Sequence, residues 1–176
     1  MMKTNTKQIL KITHVISWMI FIGLCVKAGA IAVSSGISLF VNPGAAADLH
    51  LRFDLSDLFN YGKEHYVMMV LLIVLLTVLK AVIFYFVIRI FKDLDINKPF
   101  SMSVAMHTRV ISYIAFASGL IAMAANGYTE WLIGKGVSIE KDWAGTEWLF
   151  LAGIVFVVAM IFTRGVELQS EHELTI

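Results

Sequence analysis

The amino-acid sequence predicts an all-α integral membrane protein, a bundle of four transmembrane helices with the N-terminus and the C-terminus in the cytoplasm. Two properties of the sequence predict this class. Hydrophobic residues make up 59% of the 176 residues and charged residues only 15%, whereas about 25% of the residues in a soluble domain are charged. The hydrophobic residues are also grouped into four long runs, and about 20 mostly apolar residues suffice for a helix to cross a bilayer.

The four apolar runs give the approximate bounds of the spans, and residues 1–176 are expected to form a single transmembrane domain. The spans are predicted at about residues 12–36, 66–91, 108–128 and 147–165. Two outer loops and one cytoplasmic loop connect them, at about residues 37–65, 129–146 and 92–107 respectively. Asn42-Pro43-Gly44 marks the end of the first run, because Pro and Gly interrupt regular structure.

The distribution of basic residues predicts the orientation. Eight basic residues lie in or beside the N-terminal segment, the second connection and the C-terminal tail: Lys3, Lys7, Lys11, Arg89, Lys92, Lys98, Arg109 and Arg164. The other two connections hold four basic and eight acidic residues. Cytoplasmic loops carry the excess of Lys and Arg. We therefore expect both termini in the cytoplasm and the chain in the cell (inner) membrane, as a multi-pass protein.

The N-terminal run has a second interpretation, a cleaved signal peptide. A basic start and an apolar stretch precede Ala28-Gly29-Ala30, and small residues of this kind occur at cleavage sites. However, the apolar run continues well past this point, and Lys27 directly precedes it. We therefore expect an uncleaved first helix.

Composition and spacing give no reason to predict a cofactor, an enzyme or direct contact with nucleic acid. The net charge is +1, whereas nucleic-acid-binding domains are strongly basic. The single cysteine, Cys25, cannot form an internal disulfide or a redox pair. No paired carboxylates lie within the predicted spans. His14 and His107 fall at the predicted cytoplasmic boundary, where a haem or metal pair is the alternative to plain interfacial histidines.

Three polar residues in the spans form a candidate intramembrane polar site: Lys27, Lys80 and Asn126. Ionisable residues inside a membrane are costly and often functional. The predicted position of Lys27, about two turns from the outer end, favours a structural role because a Lys side chain can extend toward the interface. Lys80 is deeper, and structural and functional roles both stay open. We predict that Lys80 points into the bundle, toward a polar pocket or a water-filled cleft.

Small and polar residues recur at helical spacing on two spans. The first span carries Gly23, Lys27, Ala30 and Ser34, and the third carries Ser112, Ala115, Gly119, Ala122 and Asn126. Small residues let membrane helices approach closely. The two stripes therefore predict that the first and third spans pack against each other; a substrate path is the alternative.

The cytoplasmic loop and the C-terminal tail carry the most distinctive motifs, NKPFS at 97–101 and FTRGVELQSEHELTI at 162–176. With these motifs and four apolar spans, the chain resembles, over nearly its whole length, the bacterial membrane family called domain of unknown function twenty-nine seventy-five. The resemblance implies a four-span membrane protein without an assigned activity or established site residues. Many members look to be encoded beside a small helix-turn-helix regulator, which implies a candidate partner.

Both motifs also have a physical interpretation. Pro99 favours an extended turn, after which Ser101 or Ser103 could cap the third helix. The acidic and apolar tail is either a solvated helix end or a surface that contacts a basic partner or the basic loop of its own chain. The candidate contact residues of the tail are Arg164, Glu167, Glu171 and Leu174.

The leading functional hypothesis is a non-enzymatic membrane partner or regulator that acts through the cytoplasmic turn and the tail, with a small cytoplasmic helix-turn-helix regulator as the candidate partner. The alternative is a small transporter or channel subunit with a polar path near Lys27, Lys80 and Asn126. Small multidrug transporters require an acidic residue in the first span, which this chain lacks.

The predicted orientation can be tested by cysteine labelling of intact cells in a Cys25→Ser background. A membrane-impermeant reagent is expected to label cysteines at positions 54 and 141 and to leave position 98 unlabelled, because the basic residues place that loop inside. Labelling at position 98, or no labelling at 54 and 141, would overturn the orientation.

Overall fold

The structure is a computed structural model that describes residues 2–49, 54–94, 101–139 and 143–173, with side chains over 8–49, 54–94, 101–139 and 143–169. These residues form a short 3-10 helix, Pro43–Ala47, and five α-helices: α1 (Met2–Phe40), α2 (Ser56–Tyr61), α3 (Lys63–Asp93), α4 (Met102–Gly134) and α5 (Gly145–Glu173). Four of these, α1, α3, α4 and α5, are long and apolar enough to cross a membrane. The predicted all-α class with four apolar spans is confirmed.

Each long helix contains one predicted span and extends beyond it at both ends. α4 has 33 residues, which is about 50 Å at about 1.5 Å per residue, whereas the hydrocarbon is about 30 Å thick. Its ends therefore extend past the apolar layer. At the start of α4, the Ser101 hydroxyl accepts a 3.3 Å hydrogen bond from the Val104 N–H. Ser101 is thus the N-cap, one of the two serines that the sequence predicts for this role.

The four long helices pack side by side in chain order. α3 contacts both α1 and α4, and α5 packs on α4. Neighbours are antiparallel: Ser38 and Tyr66 share a 2.6 Å hydrogen bond at one end of the α1–α3 pair, and the rings of His14 and Phe91 stack near the other. Within the described residues, the backbone of α1 approaches neither α4 nor α5. The helices therefore form an open row.

The predicted contact between the first and third spans is wrong. Gly23 and Lys27 are exposed, and a Cβ added at Gly23 would touch nothing within 4 Å. α1 instead buries a different stripe, formed by Ser17, Ala28, Ile31, Ser35 and Ser38. Small residues permit a close approach without specifying the partner, whereas consecutive elements are usually adjacent. Chain order, rather than matching stripes, decides which helices are neighbours.

The small-residue stripe of α4 packs on α5. Ser112 donates a 3.0 Å hydrogen bond to a backbone carbonyl of α5. A Cβ added at Gly119 would lie 2.7 Å from the Leu149 side chain and 3.1 Å from the Leu149 backbone nitrogen. A Cβ added at Gly145 would lie 3.0 Å from the backbone nitrogen of Met123. These two glycines therefore set the distance between α4 and α5.

The two connections at one end of the row fold against the helices. Their buried apolar residues are Ala46, Leu49, Leu55, Leu58, Phe59, Val137, Ile139 and Trp143. These side chains share one core with residues of α3 and α4, including Tyr66 and Leu132. We call this end of the row the capped end, and the opposite end, where α1 begins and α5 finishes, the terminal end.

Gly119→Leu is expected to destabilise the protein, because the added side chain would collide with the Leu149 side chain and backbone; overpacking costs about 1–3 kcal/mol. Gly153→Leu is the matched control, since Gly153 is exposed on α5 and an added Cβ would touch nothing within 4 Å. The free energy of unfolding, measured by denaturant titration in a mild detergent, distinguishes them. Equal stability of the two variants would contradict the close α4–α5 contact.

Candidate functional site

Lys80 lies near the middle of α3, 17 residues from its first residue and 13 from its last. Its side chain is half-buried, and its Nζ lies 5.2 Å from the centroid of the Trp148 ring on α5. A charged Lys at mid-membrane depth costs about 2.5–3.5 kcal/mol on insertion scales. A cation–π contact recovers about 0.5–2 kcal/mol. The contact with Trp148 therefore offsets only part of the free energy that burial of the charge costs.

Lys27 lies beside Lys80 on the neighbouring helix. The antiparallel register set by Ser38 and Tyr66 puts Lys27 at nearly the same depth as Lys80, on the helix that packs against α3. The acidic residues of α3, α4 and α5 are confined to their end regions, and α1 has none. Among the described side chains, the two lysines thus form a cationic pair without a carboxylate at their depth.

Asn126 does not join the two lysines. Its side-chain oxygen accepts a 3.3 Å hydrogen bond from the Trp143 backbone N–H, at the capped end of α4. The hydrogen bond between His65 and Tyr128 aligns Asn126 with the start of α3. Lys80 lies about 20 Å further along that helix, at about 1.5 Å per residue. The three predicted polar residues therefore lie in two separate places. The two lysines lie at mid-depth, and Asn126 lies at the capped end.

A polar cluster at the terminal end joins α3 to α4. Ser103 donates a 2.5 Å hydrogen bond to the Asp93 carboxylate, and Nδ1 of His107 lies 3.5 Å from the same carboxylate oxygen. That nitrogen is buried and has no hydrogen-bond partner among the described residues, and the His107 ring lies 5.6 Å from the Phe86 ring. The sequence analysis did not single out Asp93 and considered Ser103 only as a helix cap. An acidic residue just before the turn and a serine just after it is the pattern that could have predicted their hydrogen bond.

The two histidines proposed as an alternative metal or haem pair have different surroundings. His14 stacks on Phe91 and accepts a 3.2 Å hydrogen bond from the Trp18 indole N–H, whereas His107 faces Asp93. Over the described side chains, no group of three His, Cys, Asp or Glu residues is placed to hold a metal ion.

The predicted tail contacts lie on an exposed continuation of α5. Arg164 forms a 2.6 Å ion pair with Glu167, and their side chains are 80% and 48% exposed. The Leu168 side chain is 60% exposed. Nearby, Arg109 donates a 3.3 Å hydrogen bond to the Thr163 hydroxyl, which ties α4 to α5. The side chain of Glu171, the residue Leu174 and the turn at 95–100 lie outside the part of the chain that the structure describes.

Comparison with known proteins identifies one family. The family profile described as "Protein of unknown function (DUF2975)" matches residues 50–176. The match begins after α1, so the resemblance expected over nearly the whole chain is shown for the part from the first connection onward. No curated protein and no solved structure matches the chain.

The Lys80–Trp148 contact can be tested by a double-mutant cycle with Lys80→Met and Trp148→Leu. The two changes are expected to couple by about 0.5–2 kcal/mol in the free energy of unfolding, because the ring stabilises the ammonium group. Lys80→Met alone is expected to keep or raise stability, since it removes a buried charge at similar length.

The pair Lys135 and Trp131 is the matched control, with Nζ 5.7 Å from the ring centroid and both residues exposed. Water weakens exposed electrostatic contacts, so their coupling should be smaller. A Lys80–Trp148 coupling no larger than that of the control would show that the ring does not stabilise Lys80.

Proposed function

The chain belongs to the DUF2975 family of proteins of unknown function, and we propose that it acts as a non-enzymatic membrane partner or regulator whose contact surface is its terminal end. One observation carries this proposal. α5 continues as a helix to Glu173 and, beyond its hydrogen bond with α4 at Thr163, presents an exposed leucine beside an exposed ion pair.

The exposed surface is a shallow, open groove that α5 forms alone. It is lined by Met160, Ile161, Arg164, Gly165 and Leu168. The groove is apolar toward the middle of the helix, and an arginine and a leucine lie at its far end. An apolar anchor beside a charged edge is typical of surfaces that contact an amphipathic helix. A small soluble helical protein fits this pattern better than a polar ligand does.

The proposed orientation puts this groove within reach of a cytoplasmic protein. Basic residues are concentrated in the segments at the terminal end, and such segments favour the cytoplasm. In a bacterial cell, this orientation corresponds to the inner membrane. The small helix-turn-helix regulator that the family resemblance implies is therefore the candidate partner. The proposed complex holds such a regulator at the membrane without direct contact between this chain and nucleic acid.

The transporter alternative has weaker support. A polar path near Lys27, Lys80 and Asn126 would need the three residues to line one route. However, Asn126 forms its hydrogen bond with Trp143 at the capped end, about 20 Å along the helix axis from the depth of Lys80. Without Asn126, the two lysines alone do not line such a route.

The proposal can be tested with tagged full-length protein purified from its native cells in mild detergent, beside a variant that lacks residues 165–176. A soluble partner is expected in stoichiometric amount with the full chain and absent with the truncated one, since the truncation removes Leu168. Leu168→Asp should weaken binding of that purified partner by about tenfold or more.

Ile154→Asn serves as the control, because Ile154 is also exposed on α5 but lies toward the middle of the helix. It is expected to bind the partner as the unchanged protein does. If both the full and the truncated chains retain the same soluble protein, or if only membrane proteins are recovered, the terminal end is not the contact surface.

A further inference from the structure

Lys27 is an exposed cation deep within an apolar helix surface. Exposed apolar side chains continue along α1 on both sides of it, among them Val15, Val33, Ile37 and Phe40. Thirteen residues separate Lys27 from the last residue of α1, which is about 20 Å at about 1.5 Å per residue. Lys27 also lies at nearly the depth of Lys80, near the middle of α3. In hydrocarbon about 30 Å thick, that depth is about 15 Å from either surface, which is further than a lysine side chain reaches.

Lys80 lies at nearly the same depth in the row as Lys27. Its ammonium group lies over the Trp148 ring of α5, and the antiparallel register puts Lys27 beside it on α1, the helix that packs against α3. The backbones of α1 and α5 do not approach each other within the described residues. The two lysines and the tryptophan therefore line an open face between the first and last helices of the row.

Among the described side chains, the charge on this face has no carboxylate beside it. Two like charges in a medium of low dielectric constant repel strongly. The spanning helices carry their acidic residues in their end regions, at Glu64, Asp93, Glu130, Glu147, Glu167, Glu171 and Glu173. A carboxylate placed between the two ammonium groups would turn the repulsion into two attractions.

We propose that Lys27 and Lys80 form a docking site for a membrane-spanning helix of another protein, one that carries an Asp or Glu at mid-membrane depth. The helix lies on the face between α1 and α5, with its carboxylate between the two ammonium groups. Gly23, one turn before Lys27, leaves open space at this face, and small residues let membrane helices approach closely.

Charge complementarity favours an acidic membrane helix over two other possible occupants, a second copy of this chain and a phospholipid headgroup. A second copy of the chain would bring lysines against lysines, because its spans hold no carboxylate at this depth. Phospholipid headgroups lie outside the hydrocarbon, about 15 Å or more from its centre. The lysine site lies at mid-depth and does not include the terminal end, so an experiment can contradict it without contradicting the proposed function.

The test uses the full-length protein in phosphatidylcholine vesicles, with a donor dye on Ser138→Cys in a Cys25→Ser background; Ser138 is exposed at the capped end. The probe is a synthetic polyleucine membrane helix that carries an acceptor dye and a single Glu at its centre. Energy transfer should show association of the Glu helix about tenfold tighter than that of a matched Gln helix, and no association of a matched Lys helix.

Substitutions in the protein identify the charge that is responsible. Lys27→Met with Lys80→Met is expected to abolish the preference for Glu, Lys27→Arg with Lys80→Arg to retain it, and Lys27→Glu with Lys80→Met to transfer it to the Lys helix. Should the double Met variant fail to fold, Lys27→Met alone decides, since that side chain is exposed. Deletion of residues 165–176 should leave the energy transfer unchanged.

Four results would overturn the proposal. Equal binding of the Glu and Gln helices, or a preference that survives in Lys27→Met, would show that the lysines do not recognise a carboxylate. Uptake of benzoate into the vesicles that requires both lysines, without binding of the Glu helix, would assign the face to a soluble anion. Self-association of the chain that is lost in Lys27→Met would assign it to a second copy.

Discussion

The absence of water from bilayer hydrocarbon is the constraint on which the structure depends. Backbone groups that cross it must be paired within the chain, and helices pair them. The side-chain hydroxyls follow the same rule: Thr77, Thr108 and Thr129 each donate to the carbonyl one turn earlier in their own helix, at 2.7 to 2.9 Å. These polar residues are thus satisfied without a partner helix. The two lysines are an exception, because a backbone carbonyl cannot neutralise a positive charge. They give the protein a charged face within its apolar surface.

The same constraint explains why the spans could be predicted and their neighbours could not. The length and hydropathy of a run determine whether it can cross a membrane, and each predicted span lies inside one of the four helices. Lateral packing could not be predicted from the small-residue stripes, because small residues permit a close approach without specifying the partner. The stripe that contains Gly119 was predicted to pack on the first span, whereas the structure puts Gly119 against Leu149 of α5.

The candidate sites were predictable to different degrees. The lysines stood out because charges are rare in apolar runs, although the greater length of α1 leaves Lys27 further from its end than the sequence indicates. Asn126 was grouped with them as a polar residue within a predicted span, whereas its amide oxygen accepts a hydrogen bond from the Trp143 backbone in the connection before α5. Irregular connections carry no periodicity, so their buried contacts cannot be inferred from a sequence pattern. For the same reason, the cap and the Asp93–Ser103 contact became visible only in the structure.

The helices form an open row in chain order, and none of the described segments covers the lysine face between α1 and α5. Pairwise cysteine cross-linking in native membranes, in a Cys25→Ser background, tests this arrangement directly. Cysteines at positions 112 and 152 should cross-link readily, since Ser112 bonds to the Ala152 carbonyl at 3.0 Å, whereas cysteines at 23 and 119 should not. Efficient cross-linking of 23 to 119 would place α1 against α4 and contradict the row.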